Sequence, residues 1–339
     1  MPKINVLIAG STGYIGVQLV KLLIKHPNVN IKYLCGKSSV GKNISKFDNS
    51  LKKKKLPKIV KFSKKYLNNV DVVFTSLPNG EAQIVSKNLL KKNLLIDLSA
   101  DFRLKSPKIY KKYYNILHSA KEKINHSIYS IPELTKKKIK NYKIISCPGC
   151  YPTSILIPLA PLVKNNLISS YIVADSKSGY SGAGRSVHKK FANKNLYESL
   201  SAYGLAIHRH NSEIDQEIKK YSKGKFKISF TPHLSPMFRG ILTTIYFDIP
   251  KGKSLSLIYK KLINEYKFCK FVKICKFNQP ISTNDVINTN NCLISVCKSK
   301  FSGKGIILSA IDNLIKGGSG QAVQNFNLYY GFNETLGLK

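Results

Sequence analysis

Two cysteines near the middle of the chain, Cys147 and Cys150, stand at a predicted junction between a strand and a helix. Residues 142–145 read as a strand, residues 153–162 as a buried helix, and a Pro-Gly pair forms the turn between them. Unpaired backbone N–H groups and the helix dipole would then lie beside Cys150, and both stabilise a thiolate relative to a thiol. The pattern therefore predicts a nucleophilic thiol at position 150.

The spacing of these two cysteines is also compatible with other chemistry. A thioredoxin-like redox pair and an inert buried pair remain open on these residues alone. A metal site is not expected, because the cysteines have no second Cys or His pair at zinc-finger spacing and the His208 and His210 pair is too sparse.

The first residues of the chain predict a dinucleotide site. Residues 4–9 form a short apolar strand, and residues 17–24 continue with helical apolar spacing. A glycine loop joins them, in the order that a pyrophosphate-binding turn requires. The candidate cofactor residues of this loop are Gly10, Ser11, Thr12, Gly13, Tyr14, Ile15 and Gly16.

The next strand, residues 31–35, indicates which dinucleotide binds. An NAD site commonly has an acid after this strand for the ribose hydroxyls, whereas this chain continues with Gly36, Lys37, Ser38 and Ser39. A cation and two hydroxyl groups suit a 2′-phosphate. The expected cofactor is therefore NADP.

Further alternation of strands and helices predicts a parallel sheet with helices on both faces. Residues 71–77 form a strand that ends at Pro78, and residues 94–99 form another that leads to Arg103. Ligands of such sheets gather at the carboxyl ends of the strands. Arg103 could bind a phosphate or carboxylate there, or form a structural pair with Asp97 or Asp101.

The second half of the chain contributes a cationic loop and a histidine pair. A predicted strand at residues 171–176 leads into a loop that contains Arg185, which could lie close to an anion. His208, Arg209 and His210 precede a helix predicted over residues 213–221, with Glu213 just behind them. A histidine with a neighbouring carboxylate is a plausible general base with its orienting partner.

Composition restricts the class of protein. The 339 residues favour two domains, and seven cysteines without regular spacing favour a reducing compartment. No signal core and no long apolar run are present, so we expect a soluble, cytoplasmic protein without a membrane partner. The net charge of +39 makes polyanion binding a candidate function. However, the lysines are spread along the whole chain, and no nucleic-acid-binding signature accompanies them.

Taken together, these motifs resemble those of the N-acetyl-gamma-glutamyl-phosphate reductase family, which is related in fold to aspartate-semialdehyde dehydrogenase. The resemblance covers nearly the whole chain and settles the choice for Cys150 in favour of a single nucleophile. It implies that the histidine pair supplies the base, with His208 favoured over His210. The segments that carry it are the Gly10 loop and residues 96–104, 148–153, 178–185, 208–210, 312–314 and 320–322.

The resemblance implies an α/β fold. A Rossmann-type NADP-binding domain would comprise residues 1–148 with 313–339, and an α+β catalytic and dimerisation domain of the glyceraldehyde-3-phosphate and semialdehyde dehydrogenase type would comprise residues 149–312. Family members are usually homodimers or homotetramers. Further cofactor contacts are expected from Pro78, Ser178, Gly179, Asn313 and Gln321, and substrate contacts from Arg103, Arg185, Arg209 and Glu213.

The implied reaction is NADPH-dependent reduction of N-acetyl-gamma-glutamyl phosphate to the semialdehyde through a cysteine thioester, a step of arginine biosynthesis. The alternatives are a related dehydrogenase acting on aspartyl phosphate or carrier-linked aminoadipyl phosphate, and, more distantly, a polyanion-binding protein. The chain also departs from the family pattern. Cys147 replaces the usual asparagine, Ser130 replaces a glycine, and Asn211-Ser212 replace Thr-Pro.

Overall fold

The computed structural model describes residues 2–185, 198–222 and 226–338. They form two compact units, one of Met1–Pro148 with Gly318–Lys339 and one of Gly149–Gly317. Residues 313–317, which the sequence-based boundary assigned to the first domain, therefore group with the second unit. Asn313 gives the physical reason, since its side-chain oxygen accepts from the N–H of Gly240 at 2.8 Å and its amide donates to the Ser181 hydroxyl at 3.0 Å.

The first unit is a parallel sheet with helices packed around it. Its strands are β1 (Ile4–Ala9), β2 (Val29–Cys35), β3 (Ile59–Val60), β4 (Val72–Thr75), β5 (Leu94–Asp97), β6 (Ser127–Tyr129) and β7 (Ile144–Ser146). They are ordered β3-β2-β1-β4-β5-β7-β6, and every pairing is parallel. The helices of this part of the chain are α1 (Tyr14–Leu23), α2 (Glu81–Lys87), α3 (Pro107–Tyr114) and α4 (Pro132–Thr135).

The central strands of this sheet are buried throughout rather than alternating between buried and exposed residues. All residues of β4 and β5 are buried, as expected for a parallel sheet covered on both faces.

Asp101, which follows β5, caps the N-terminus of α2. Its carboxylate accepts from the N–H groups of Gly80 and Gln83 at 2.8 and 3.2 Å. Those bonds satisfy the exposed N-terminus of a helix whose own N-cap, Gly80, has no side chain to do so.

The second unit contains a mixed sheet. Its strands are β8 (Tyr171–Gly179), β9 (Ser201–Ala202), β10 (Lys227–Ser235), β11 (Ile241–Asp248), β12 (Val272–Ile274), β13 (Cys292–Lys298) and β14 (Lys304–Ile311), in the order β12-β13-β14-β11-β8-β10-β9. Its helices are α5 (Cys150–Lys164), α6 (Arg209–Ser222) and α7 (Leu255–Tyr266), and a final helix of the first unit, α8 (Gly320–Tyr330), follows it in the chain.

One face of the mixed sheet is covered and the other is open. Helix α5 packs on β11 and β14, and the strand residues of that face, such as Ala174, Ile245 and Ile307, are fully buried. On the opposite face their register neighbours Val173, Tyr246 and Ile306 are half-buried or exposed. This alternation is the pattern of a sheet with one solvated side.

The first strand prediction is confirmed, and two helix boundaries were wrong. The strand predicted at residues 4–9 has those bounds in the structure. Helix α5 begins at Cys150 rather than residue 153, because Pro152 fits its first turn and needs no N–H partner there. Helix α6 begins at Arg209 rather than residue 213, which places His210 on the helix.

Within the described ranges, no helix combines the length and the apolar character needed to cross a membrane.

Candidate active site

A cavity of about 450 Å³ opens in the first unit at the carboxyl ends of β1, β2 and β4. This is the edge of a parallel sheet at which ligands bind. The predicted cofactor residues that line it are Gly10, Thr12, Gly13, Lys37 and Pro78. Sequence reasoning missed further lining residues, among them Lys61, Phe62 and Glu81, which come from loops and a helix with no recognisable motif.

The glycines of the loop serve different purposes. Gly10 has φ +83°, and a Cβ there would lie 2.0 Å from the carbonyl oxygen of Ser76. A Cβ on Gly16 would lie 2.1 Å from the carbonyl oxygen of Gly10. At Gly13 the nearest such atom, the Gly10 oxygen, is 3.7 Å away. The protein itself therefore excludes side chains at Gly10 and Gly16, whereas at Gly13 it leaves space beside the cavity.

Some predicted cofactor residues do not line this cavity. Ser11 is fully buried, and both its N–H and its hydroxyl donate to the Cys35 carbonyl at 3.1 Å, so it joins the loop to β2. Tyr14, Ile15, Gly16, Ser38 and Ser39 are also absent from the lining.

The charges around the cavity fit a phosphorylated dinucleotide. Lys37 and Lys61 both line it, and glycine rather than an acid follows β2. Glu81 is the only carboxylate among the described lining residues, and its Oε1 is 2.6 Å from Lys37 Nζ. Because Lys37 is 77% exposed, that pair is readily solvated. The donor set thus favours a 2′-phosphate over an unmodified ribose.

In the second unit, Cys150 is the first residue of α5. Its N-cap, Gly149, is extended at φ −67° and ψ 158° and supplies no side-chain cap. The Cys150 side chain is half-buried. The helix dipole therefore acts on a partly accessible sulfur, in the arrangement that stabilises a thiolate.

Glu213 and His210 flank the residue before the thiol. The N–H of Gly149 donates to Glu213 Oε2 at 2.9 Å, and Glu213 Oε1 lies 3.8 Å from His210 Nε2. A Cβ on Gly149 would lie only 2.3 Å from that same Nε2. Glu213 is fully buried, so it orients the turn and the imidazole, rather than presenting the surface-accessible carboxylate expected of a substrate contact.

The two histidines have different environments. The His208 ring is surrounded by the rings of Tyr151, Tyr203 and Phe230, with centroids 5.3 to 5.6 Å away. Burial, together with the positive charge of Arg209, lowers the pKa of His208 to about 4. His208 Nδ1 also accepts the backbone N–H of His210 at 3.2 Å. Sequence reasoning favoured His208, whereas the contacts with Gly149 and Glu213 belong to His210.

Cys147 is unlike Cys150. It is fully buried, and burial raises the pKa of its thiol to about 12. The Asn325 amide donates to its sulfur at 3.7 Å, and the Asn325 Oδ1 accepts from the Ser130 hydroxyl at 2.7 Å. Cys147 and Ser130, two of the residues that depart from the family pattern, therefore share one buried partner. A protonated, enclosed thiol does not support the redox-pair interpretation.

The predicted arginines are in three different situations. Arg103 is buried, with Nε donating to the Cys147 carbonyl at 2.9 Å and a terminal nitrogen donating to the Leu98 carbonyl at 3.1 Å. Arg209 is exposed at the start of α6, and Arg185 is half-buried. Arg103 therefore supports backbone with at least part of its guanidinium.

The remaining predicted cofactor residues have structural contacts. The Ser178 hydroxyl donates to the Gly179 carbonyl at 3.1 Å, and the Gly179 N–H donates to the Gly240 carbonyl at 2.8 Å. Asn313 joins two loops, as described above, and Gln321 is fully buried in α8. No group of His, Cys, Asp and Glu that could hold a metal ion occurs in the part of the chain that the structure describes.

Comparisons with known proteins agree with this arrangement. Residues 5–142 match the family described as semialdehyde dehydrogenase, NAD binding domain, and residues 150–313 match semialdehyde dehydrogenase, dimerisation domain. The chain is 40% identical to N-acetyl-gamma-glutamyl-phosphate reductase of Desulforamulus reducens, over 99% of this chain and 98% of that one. It is 38% identical to the probable chloroplastic enzyme of that name from Arabidopsis thaliana, over 99% and 84% of the two chains.

Solved structures show the same fold at low identity. Aspartate semialdehyde dehydrogenase II from Vibrio cholerae, complexed with ASA, superposes with a TM-score of 0.72 at 16% identity, over 98% of this chain and 99% of that one. Aspartate semialdehyde dehydrogenase with NADP from Candida albicans gives a TM-score of 0.69 at 16% identity, over 97% and 98%.

Proposed function

This chain belongs to the N-acetyl-gamma-glutamyl-phosphate reductase family, and we propose that it reduces N-acetyl-gamma-glutamyl phosphate to N-acetylglutamate semialdehyde, with release of phosphate, in arginine biosynthesis. The observation that carries the proposed mechanism is the position of Cys150. It is the first residue of α5, and His210 and Glu213 both contact the preceding glycine.

The first chemical step forms a thioester. The Cys150 sulfur, as thiolate, attacks the acyl carbon of the substrate, a C–S bond forms, the C–O bond to phosphate breaks, and phosphate leaves with the bonding electron pair. His210 accepts the thiol proton beforehand and returns a proton to the sulfur after the aldehyde has left. Glu213 orients the imidazole, since its Oε1 lies 3.8 Å from His210 Nε2.

NADPH, when bound, supplies the hydride that reduces the thioester carbon to the aldehyde level. The residues that would hold this cofactor are Gly10, Thr12 and Gly13 at the start of α1, with Lys37 and Lys61 for the 2′-phosphate. Collapse of the resulting oxyanion breaks the C–S bond and frees the thiolate of Cys150 for the next cycle.

The substrate carries a carboxylate and a phosphate, which require cations. We propose Arg209 as a substrate contact, because it is exposed beside His210 and its charge depresses the pKa of His208. Arg185 is the second candidate. Arg103 is not among these candidates, because its guanidinium donates to the backbone carbonyls of Cys147 and Leu98.

We also propose that the protein is a homo-oligomer in the cytoplasm. A second copy would cover the open face of the mixed sheet, where Tyr246 is 47% exposed between half-buried aliphatic neighbours. The seven cysteines are all free, which suits a reducing compartment. Sedimentation should give at least twice the chain mass of 38.0 kDa, and a monomer at micromolar concentration would contradict this proposal.

Replacement of the nucleophile tests the covalent mechanism. Cys150→Ser should lower the rate of phosphate-dependent NADP reduction with N-acetylglutamate semialdehyde by at least about 1,000-fold, because a serine hydroxyl is a much weaker nucleophile than a thiolate. The matched control is Cys147→Ser, which should retain most activity because the Cys147 thiol is buried and protonated. Equal loss in both variants would revive the redox pair, and full activity of Cys150→Ser would exclude the thioester.

The assignment of the base is tested by the two histidines. His210→Asn should lower kcat by about 100-fold, the usual contribution of a general base. His208→Asn keeps a polar acceptor in the aromatic enclosure and should lower kcat much less. The opposite ranking of the two variants would assign the role of general base to His208.

Parallel assays with aspartyl phosphate and an aminoadipyl phosphate test which acyl group the protein accepts.

A further inference from the structure

The segment that follows β14 contains a π-helical turn, Ile315–Ser319. Its wide spacing is visible in the backbone, since the N–H of Gly317 donates to the carbonyl of Asp312, five residues earlier, at 2.9 Å. The Asp312 carboxylate accepts from the N–H groups of Leu314 and Ile315 at 2.8 and 3.1 Å. Asp312 therefore holds this segment, here called the 312–317 turn, through both its backbone and its side chain.

Asp312 is itself held from the other side. Its Oδ2 accepts from the N–H of Asn288 at 2.8 Å and from Arg239 at 3.1 Å. The Asp312 side chain is fully buried and that of Arg239 is 14% exposed. Arg239 also donates to the Asn288 side chain. These bonds attach Arg239 to the 312–317 turn.

The 312–317 turn lies against the nucleophile. A Cβ on Gly317 would lie 2.6 Å from the Cβ of Cys150 and 3.1 Å from its Cα. Carbon atoms in contact normally approach to about 3.5 to 4.0 Å, so a side chain cannot be added there without displacement. Gly317 does not have a positive φ. Its backbone conformation would thus accept alanine, and the restriction comes from the contact with Cys150.

We propose that Gly317 and Asp312 are positioning residues for the nucleophile, in that the 312–317 turn fixes where the Cys150 side chain can stand. This inference rests on the proposed function, because it requires Cys150 to be the nucleophile. Isolated π-helical turns are commonly found at functional sites. Here the wide turn presents a glycine backbone to the first residue of α5, and the pair of Asp312 and Arg239 keeps the turn in place.

The proposal predicts a specific defect in Gly317→Ala. The methyl group must displace Cys150, and a shift of about 1 Å at a reacting atom can lower kcat by about 100-fold. The KM for NADPH should stay within about twofold of wild type, because cofactor binding and thiol position are separate properties. The rate of Cys150 alkylation by iodoacetamide, followed by peptide mass spectrometry, should change at least about fivefold in either direction, a sign that the environment of the sulfur differs.

Gly305→Ala is the matched control. It also adds a methyl group to a crowded glycine of the second unit, with a Cβ that would lie 2.5 Å from the Phe247 ring and 2.7 Å from a Leu255 methyl carbon. It should lower Tm comparably, while kcat and the alkylation rate of Cys150 stay near wild type. If Gly317→Ala and Gly305→Ala lose stability and activity in the same proportion, with no change in alkylation, the positioning role is excluded.

Asp312→Asn provides a second, independent variant should Gly317→Ala fail to fold. It keeps an oxygen acceptor for the turn but loses the charge that pairs with Arg239, so we expect kcat to fall about tenfold, with the alkylation rate changed and the KM for NADPH retained. Unchanged alkylation and kcat in a folded Asp312→Asn would overturn the proposal. Cys150→Ser assayed in the same series separates the two ideas, because full activity of that variant contradicts the proposed function rather than the role of the turn.

Discussion

Two helices of this protein begin in nearly the same way and serve different ends. The N-cap of α1 is Gly13, at φ −68° and ψ 165°, and the N-cap of α5 is Gly149, at φ −67° and ψ 158°. Neither helix has a side-chain cap or an acidic residue in its first turn. Each therefore offers backbone N–H groups and a positive dipole end to whatever lies in front of it.

The difference lies in what occupies the space beside each glycine. Next to Gly13 the nearest atom to an added Cβ is 3.7 Å away, and the cavity opens there, whereas next to Gly149 the imidazole of His210 is 2.3 Å away. One helix terminus is left available to a ligand, and the other is filled by the protein's own side chains. We therefore propose that similar helix N-termini provide an anion site in one unit and an activated thiol in the other.

Gly149→Ala should have the largest effect on activity among the variants that test this difference between the two helix N-termini. The added methyl group must displace His210 and disturb the bond from the Gly149 N–H to Glu213, so kcat should fall by about 100-fold or more. NADPH binding, followed by fluorescence titration, should be unchanged. A variant that keeps wild-type kcat would show that the position of His210 is not critical.

Gly13→Ala tests the other helix with a smaller effect. The backbone is extended and the protein leaves room, so the fold should persist with an unchanged Tm, but the methyl group would stand where a phosphate approaches the helix. The KM for NADPH should rise about tenfold, and Cys150 should be alkylated at the wild-type rate. An unchanged KM would mean that the pyrophosphate does not use this helix terminus.

The smallest effect concerns acid stability of the first unit. His26 follows α1, is 2% exposed, and its Nε2 is 2.8 Å from Asn327 Oδ1 of α8. Burial lowers the pKa of His26. The unfolded state then binds more protons below about pH 6.5, so stability is constant above that pH and decreases as pH falls toward the folded-state pKa.

Between pH 7.5 and 5, acidification should lower the Tm of the wild type by a few degrees relative to that of His26→Gln, whereas Asp97, whose pKa burial raises to about 6, contributes the opposite sign in both proteins. His26→Gln removes the titrating ring and should reduce this dependence, with His118 contributing the same sign because burial lowers its pKa also. If the Tm of His26→Gln depends on pH as steeply as that of the wild type, the assignment of a neutral, buried His26 is contradicted.

Two of the departures from the family pattern, Cys147 and Ser130, show why single-residue comparisons mislead. In the sequence, the spacing of Cys147 and Cys150 was also compatible with a redox pair. The fold instead places Cys147 and Ser130 around Asn325, a residue of the last helix. Their compatibility depends on a contact between positions 178 residues apart, which no local pattern reveals.

Short-range features of this protein could be predicted from the chain alone. The strand Ile4–Ala9, the glycine loop and the position of Cys150 at a helix N-terminus depend on periodicity, on glycine and proline, and on neighbours a few residues away. Those local rules act before any tertiary contact forms.

Only the tertiary structure decided how the side chains around the thiol are used. His210 rather than His208 faces Gly149, Glu213 is enclosed, and Gly317 lies against Cys150 because elements distant in sequence pack together. The direction and burial of a side chain depend on these packed neighbours. Residue type and spacing therefore identify the candidate catalytic residues, and tertiary packing determines which of these candidates can take part in the reaction.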